Sequence, residues 1–532
     1  MQLLYLRVGI RQCTISRPTR KHTKENNHGS IIPLQVRVDR RRPDHRTACT
    51  GGGLGQTSPL VPNDEYYQPN ATFPLGQYWI KLTKTDYAWA LVGYALGPQS
   101  VSVSSDRTIA IIDSGTDPDH PDFVIDLAQI PPSVFHHGSR SILEGAASPG
   151  GGFCPCDSSA IPVNDIEDLL WIGTGTPAGN PHGTIESGLI GAVADNTIGM
   201  AGICWDCALL IERVSTIRND GCIMACFHTD QNVADAIKYA AGFDFDEDKY
   251  PSSSVRARTI SIATLGRYAQ EQWCNSANPL KLAIEEAANR NCIIVAIAGN
   301  DTNNNGLDNE PIKIGLAIHP DTITVGGCDI DGIWATPISR SNPECIELCG
   351  SSCDGLYPGL QTHVDPYDGK TYVKALSVVA PIDDIFSTWY IHPGNNNVAY
   401  DYPGSGTSWA APQVAGVVAL MLRVNPDLTP KLCKKIIEQT ATDLYQMSGD
   451  AILYGGYDRF TGYGLLNAEA AVEKAILLND PSDWNGDGSV GPIDPVLFVA
   501  DLAAGDPMAD LNLDETQTAD DLAIYLDSYA GN

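Results

Sequence analysis

At 532 residues and 43% hydrophobic composition the chain can bury a large core, and its length suits about two to four domains. No uninterrupted apolar stretch approaches the roughly 18 to 20 residues needed to cross a bilayer, so the sequence predicts no transmembrane helix. Residues 1–50 hold 11 Lys/Arg against 3 Asp/Glu, leaving 23 against 61 in the rest and a body near −38, which argues against nucleic-acid binding.

The first segment, 1–60, is basic and aperiodic, and reads either as a disordered arm or as sequence upstream of the true start. Its opening MQLLYLRVGIRQ has too short an apolar run, broken by Arg7 and Arg11, for a convincing signal peptide.

From about 106 to 475, short β-branched runs alternate with helical stretches: RTIAIIDSG, HGTIESGLIGAVA, ALLIERVS, NVADAIKYAAG, RTISIATLG, PLKLAIEEAANR, CIIVAIAGN, TITVGGCD, ALSVVAP and AAPQVAGVVALML. That order predicts an α/β fold with a mostly parallel twisted sheet flanked by helices, whose ligand site lies at the carboxyl ends of the strands. Asp113, Thr264 and Asn300 fall at such ends. His182 stands just ahead of an apolar, small-residue helix. Ser408 stands where a glycine-rich turn enters another.

Each of these has a bland reading: Asp113 and Asn300 as turn residues, His182 as a structural histidine, Ser408 as a helix cap. Together they supply the parts of acyl transfer, because a serine hydroxyl attacks a carbonyl only when a base takes its proton. An acid orients that base, and a side-chain amide can bind the oxyanion.

Fifteen cysteines are many for a reducing compartment, and the close spacings Cys154/Cys156, Cys204/Cys207, Cys222/Cys226 and Cys345/Cys349/Cys353 favour disulfides. Zinc is the competing reading at Cys204-Trp-Asp-Cys207. An odd count leaves at least one thiol unpaired or bonded outside the chain.

After 476 the composition shifts to an acidic internal repeat with a 27-residue period, a separate small module over 479–532. Asp483, Asn485, Asp487, Ser489 and Asp494 occupy positions 1, 3, 5, 7 and 12 of a calcium loop, with Gly488 at the turn position 6. The second copy places Asp510, Asn512, Asp514, Thr516 and Asp521 at the same spacing. It carries Glu515 where glycine is wanted, so weakened or absent calcium binding is expected there.

IIDSGTDPDHPDF, HGT before a small-residue helix, AGN and GTSWAAP resemble the motifs of the subtilisin-like serine proteases, in that family's order Asp, His, Ser. The resemblance covers about 63–475 and sets the peptidase domain at 61–478. It implies Ser408 as nucleophile, His182 as general base and acid, Asp113 as its orienting carboxylate, and Asn300 with the Ser408 backbone N–H as oxyanion donors. It also implies that an extended substrate pairs with backbone at Thr264, Leu265 and Gly266, and that Ile297 narrows the primary specificity pocket. ADNTIGMAG resembles the family's calcium loop, with Asn196, the carbonyls of Ala194, Ile198 and Met200, and the Asp122 carboxylate as Ca²⁺ ligands; a plain glycine turn is the alternative.

The tail resembles a dockerin, a small α-helical module of two loop–helix repeats, which implies a cohesin-like or cell-surface partner; a calcium-stabilised cap on the protease is the alternative. Three residues depart from the family pattern. Glu186 stands one turn after His182 in place of a small or apolar residue; pointing inward, it would be protonated by desolvation or, ionised, would raise the histidine. Trp409 and Gln413 flank the nucleophile in place of Met and His. The expected protein is a secreted or cell-envelope, calcium-stabilised serine endopeptidase acting on polypeptides. Two other classes stay open: a subtilase-fold scaffold that lost turnover, and an intracellular zinc protein.

Overall fold

The computed structural model describes residues 58–124, 134–136, 139–141, 170–172, 181–214, 216–219, 224–226, 230–243, 256–263, 278–300, 316–333, 361–366, 369–389, 391, 398–444, 447–448, 451–452, 456–485 and 489–531. The substrate-strand residues Thr264, Leu265 and Gly266, Asp487 and Gly488 of the first acidic loop, and the leader through residue 57 lie outside the described residues.

Seven strands build the central sheet: β1 (Thr108–Asp113), β2 (Arg140–Ser141), β3 (Ala208–Arg213), β4 (Thr259–Ile262), β5 (Ile293–Ile297), β6 (Thr322–Cys328) and β7 (Leu376–Pro381). Their order is β7-β6-β5-β4-β1-β3-β2, and every neighbouring pair is parallel, with Ile109 opposite Leu209 and Thr259 in register. β1, β3, β4 and β5 are buried at every position, as strands covered on both faces must be.

Described helices follow the same chain order: α1 (Tyr78–Leu82), α2 (Thr85–Leu91), α3 (His182–Gly191), α4 (Asp230–Ala240), α5 (Pro279–Asn289), α6 (Ala411–Val424), α7 (Pro430–Thr440), α8 (Ala468–Asn479), α9 (Asp494–Ala504) and α10 (Ala519–Gly531). Alternation along the strands splits the core in two. Ile109, Ile111, Ile293 and Val295 join the core with α3, α6 and α8, whereas Ala110, Ile112, Ile294 and Ala296 join the one with α4 and α5. The helix α6 is buried continuously from Ala411 to Leu422 and has Pro412 in its first turn, as suits a helix running through the middle of a core.

Among the described residues no helix is long and apolar enough to cross a membrane. Cys204 and Cys207 are joined in a disulfide, which leaves no thiolate there for zinc. Cys292, Cys328 and Cys433 are buried and free.

The acidic tail packs on the body. Trp484, Phe498 and Tyr525 form a small core with Leu477 at the end of α8, while Leu513 enters the main core. Buried Lys474 of α8 donates to the carbonyls of Pro507 (3.2 Å), Met508 (2.7 Å) and Asp510 (2.7 Å).

Candidate active site

Asp113 is the last residue of β1, so its side chain emerges at the carboxyl edge of the sheet. The chain then turns through Gly115 at φ +114°, and α3 begins close against that turn. A Cβ on Gly183 would lie 2.0 Å from the Gly115 carbonyl oxygen, so only glycine lets the helix start there. The Gly183 N–H donates to Ser114 Oγ at 3.0 Å, fixing the approach. As a result the His182 Nδ1–H donates to Asp113 Oδ1 at 2.9 Å, and the same oxygen accepts from the Ser114 N–H at 2.7 Å.

Ser408 lies in a single 3-10 turn, Thr407–Trp409, that leads into α6. It caps nothing: that turn and α6 both lack a side-chain cap, and its Oγ donates to the Ala263 carbonyl at 3.3 Å, just past the end of β4. Asn300 follows β5. Its Oδ1 accepts from both the Thr407 N–H and the Thr407 Oγ, each at 2.9 Å, which fixes the amide plane one residue from Ser408. The Nδ2 end faces Gly406, where a Cβ would approach it to 3.4 Å.

The Trp409 ring packs on the His182 ring, centroids 4.9 Å apart, while its Nε1 donates to the Gly404 carbonyl. Gln413 ties the first turn of α6 to the Trp409 and Pro381 carbonyls. Asp113, His182, Ser408 and Asn300 thus gather at one edge of the sheet, joined through Thr407 and Trp409. Ile297, at the end of β5, is 5% exposed and belongs to the core.

Glu186 does point inward. It is fully buried, with Oε1 3.2 Å from His182 Nδ1. Burial, then the nearby Asp113 charge, pushes its carboxyl well above the usual range. Burial also works against ionised Asp113, but the His182 charge and hydrogen bond outweigh it and hold the carboxyl low. For His182, burial opposes protonation, yet Asp113 lifts it well above an ordinary histidine, and Glu186 adds to that lift only while it is ionised.

A second cluster lies at the loop after α3. Asp195, Thr197 and Gly199 all have φ between 49° and 69°, which winds the loop around Asp122. Asp122 Oδ2 accepts from the Met200 N–H at 2.9 Å and Oδ1 from Asn196 Nδ2 at 3.1 Å; Asn196 Oδ1 accepts from the Ile198 N–H at 2.7 Å. A Cβ on Gly199 would fall 2.5 Å from Asp122 Oδ2 and 1.9 Å from Tyr400 Oη, so the cradle admits no side chain.

Ala194 and Met200 are buried in this loop, and Ile198 is exposed. Asp64, unforeseen from sequence, reaches in and accepts from the Asp195 and Asn196 N–H groups. Burial pushes Asp64 up to about 6; burial and then the Asp64 charge push Asp122 up to about 8. Two desolvated carboxylates in one backbone cradle fit a hard divalent cation such as Ca²⁺, while the Asn196 amide turns its nitrogen to Asp122.

The tail loops repeat each other. Buried Asp494 accepts from the Asn485 and Gly491 N–H groups, and buried Asp521 from Leu511, Asn512 and Thr518. Asp483 is half-buried, Ser489 and Asp514 are exposed. Glu515 adopts φ 72°, the left-handed conformation that a glycine would take without strain. Asp510 is already engaged, by the Asp514 and Glu515 N–H groups and by Gln439 of α7.

A family model described as the subtilase family matches residues 104–464. An extracellular protease of Xanthomonas campestris pv. campestris is 27% identical over 324 residues, covering 60% of this chain and 45% of that protein. The thermophilic serine proteinase of Bacillus sp. (strain AK1) is 26% identical over 419 residues, 77% of this chain and 69% of that one. Subtilisin DY of Bacillus licheniformis is 27% identical over 296 residues, 56% and 78% respectively.

Proposed function

The chain belongs to the subtilase family, and from that premise we propose that it is a serine endopeptidase with Ser408 as nucleophile. The observation that carries this reading is the 2.9 Å His182–Asp113 hydrogen bond at the sheet edge where Ser408 and Asn300 also lie. With Nδ1–H given to Asp113, the lone pair of His182 is on Nε2, the atom that takes the Ser408 proton as Oγ attacks a peptide carbonyl. Asp113 stabilises the imidazolium that results. The oxyanion is bound by Asn300 Nδ2–H and the Ser408 N–H. His182 then returns the proton to the departing amine, and the same base activates the water that hydrolyses the acyl-enzyme.

Substrate pairs with the backbone of Thr264, Leu265 and Gly266 as an added strand, and Ile297 narrows the primary pocket. Asp122, Asn196, Ala194, Ile198 and Met200, with Asp64 added, would hold a Ca²⁺ ion. Such an ion neutralises buried carboxylates and ties the segment at 63–64 to the loop. Asp483, Asn485, Asp487, Ser489 and Asp494, and more weakly Asp510, Asn512, Asp514 and Asp521, are the calcium ligands of a dockerin-like tail with a cohesin-like or cell-surface partner. A calcium-stabilised cap is favoured by one specific observation, the three carbonyls that Lys474 holds. Action outside the cell is supported by the buried Cys204–Cys207 disulfide.

The direct test is digestion of an unfolded protein substrate with product termini read by mass spectrometry. Internal cleavage that is lost in Ser408→Ala supports the assignment; equal cleavage by both proteins refutes it.

A further inference from the structure

Glu186 sits in the site but has no part in the steps above. Its Oε1 is 3.2 Å from His182 Nδ1, while Asp113 Oδ1 is 2.9 Å from that same nitrogen. One carboxylate oxygen each of Asp113 and Glu186 and one ring nitrogen of His182 all lie within 4.8 Å of one another. Both Glu186 oxygens and Asp113 Oδ2 are buried, and among the described residues none of the three has a hydrogen-bond partner. Three orphan acceptors around one N–H donor are costly when all are ionised, and one additional proton between the two carboxyl groups satisfies them. That proton belongs on Glu186, the carboxyl that burial and Asp113 disfavour as an anion.

We propose that Glu186 is a positioning residue: a neutral carboxylic acid that donates its proton to Asp113 Oδ2, fixing that carboxylate against His182 and moderating its hold on the imidazolium. The inference rests on the triad reading given above. Of the other elements packed on α3, β1 contributes Asp113, and β3 brings Glu212 and Arg213 into register with Ile112 and Asp113. The short turn Pro121–Phe123 contributes Asp122, and α6 contributes Arg423, paired with Asp206. The Ser387–Thr388 strand and the Thr407–Trp409 turn contribute no ionisable group.

A neutral donor and a second anion shift His182 in opposite directions. A donor on Asp113 Oδ2 weakens that carboxylate's pull on the imidazolium, so removing it raises the His182 titration midpoint. A second anion raises the midpoint itself, so removing it lowers the midpoint.

The experiment is NMR titration of ring-labelled His182 in full-length Ser408→Ala protein, which needs no turnover, for Glu186, Glu186→Gln and Glu186→Val. The proposal expects Glu186→Gln, a neutral donor of the same shape, to keep the midpoint, and Glu186→Val to raise it by about 0.5 to 1 pH unit. A fall in both variants, or no change in either, overturns it. If Glu186→Val does not fold, a lowered midpoint in Glu186→Gln still overturns the proposal and an unchanged one, with Glu186→Met raised, supports it. Asp113→Asn is the control for the triad: a His182 midpoint that does not fall there shows that the triad reading, not the role of Glu186, has failed.

Discussion

Asn300 carries two separable jobs in one side chain. Its Oδ1 accepts from the Thr407 N–H and Oγ at 2.9 Å each, and its Nδ2 is the donor assigned to the oxyanion. Replacement by leucine would remove both jobs and leave the two Thr407 donors unpaired, at about 1–3 kcal/mol each. Asn300→Asp is the sharper perturbation, because one carboxylate oxygen still serves Thr407 while the other replaces the donor with an acceptor. Loss of one oxyanion donor costs about 3 kcal/mol, or roughly 10²–10³ in kcat, and the carboxylate's charge beside a developing oxyanion adds to that. Steady-state hydrolysis of a peptide ester, with thermal unfolding in parallel, is expected to show kcat down by at least that factor while KM and Tm stay near their original values. A kcat within threefold of the parent would refute the assignment of Asn300.

Lys474→Met tests how the tail is held. Three hydrogen bonds from a cation are worth about 1.5–3 kcal/mol each, while burial that brings the lysine down to about 8 sets about 3 kcal/mol against it. The bonds win, so urea unfolding of the Ser408→Ala protein should show a net loss of about 1.5–6 kcal/mol. Calcium removal should make stability depend on pH. Asp64 and Asp122 bind protons more tightly in the folded state, pushed to about 6 and about 8, so stability in chelator falls as pH rises from about 4 to 8. Thermal melts in chelator should therefore be higher at pH 5 than at pH 8, and added calcium should flatten the difference. Gly183→Ala puts a Cβ 2.0 Å from the Gly115 carbonyl oxygen, so α3 must shift and His182 with it. Roughly 10²-fold slower turnover is expected from kinetics on a short peptide.

The sheet was legible because its strands are continuous apolar runs, the pattern of two covered faces, and Ile293–Ile297 reads that way without help. Asp113, His182, Asn300 and Ser408 stood out as a set because all four lie at strand ends or helix starts and each supplies a different chemical part. Thr407 was written in the same GTSW stretch, yet no spacing rule says that it grips Asn300. Asp64 follows Pro62-Asn63 far from its loop, and only the fold brings it to Asp122. Glu186 could be seen as a departure, but its enclosure depends on helix rotation. Lys474, in the helix AEAAVEKAILLN, looks like a solvated lysine until the tail covers it.

The central claim is that His182 and Asp113 activate Ser408. Exposure of the calcium-supplemented protein to a fluorophosphonate, followed by peptide mass mapping, tests it most directly, with Ser408→Ala and His182→Ala alongside. A single adduct on Ser408 that disappears in both variants is the predicted result. Folded protein left unlabelled, or labelled equally without His182, would contradict the claim.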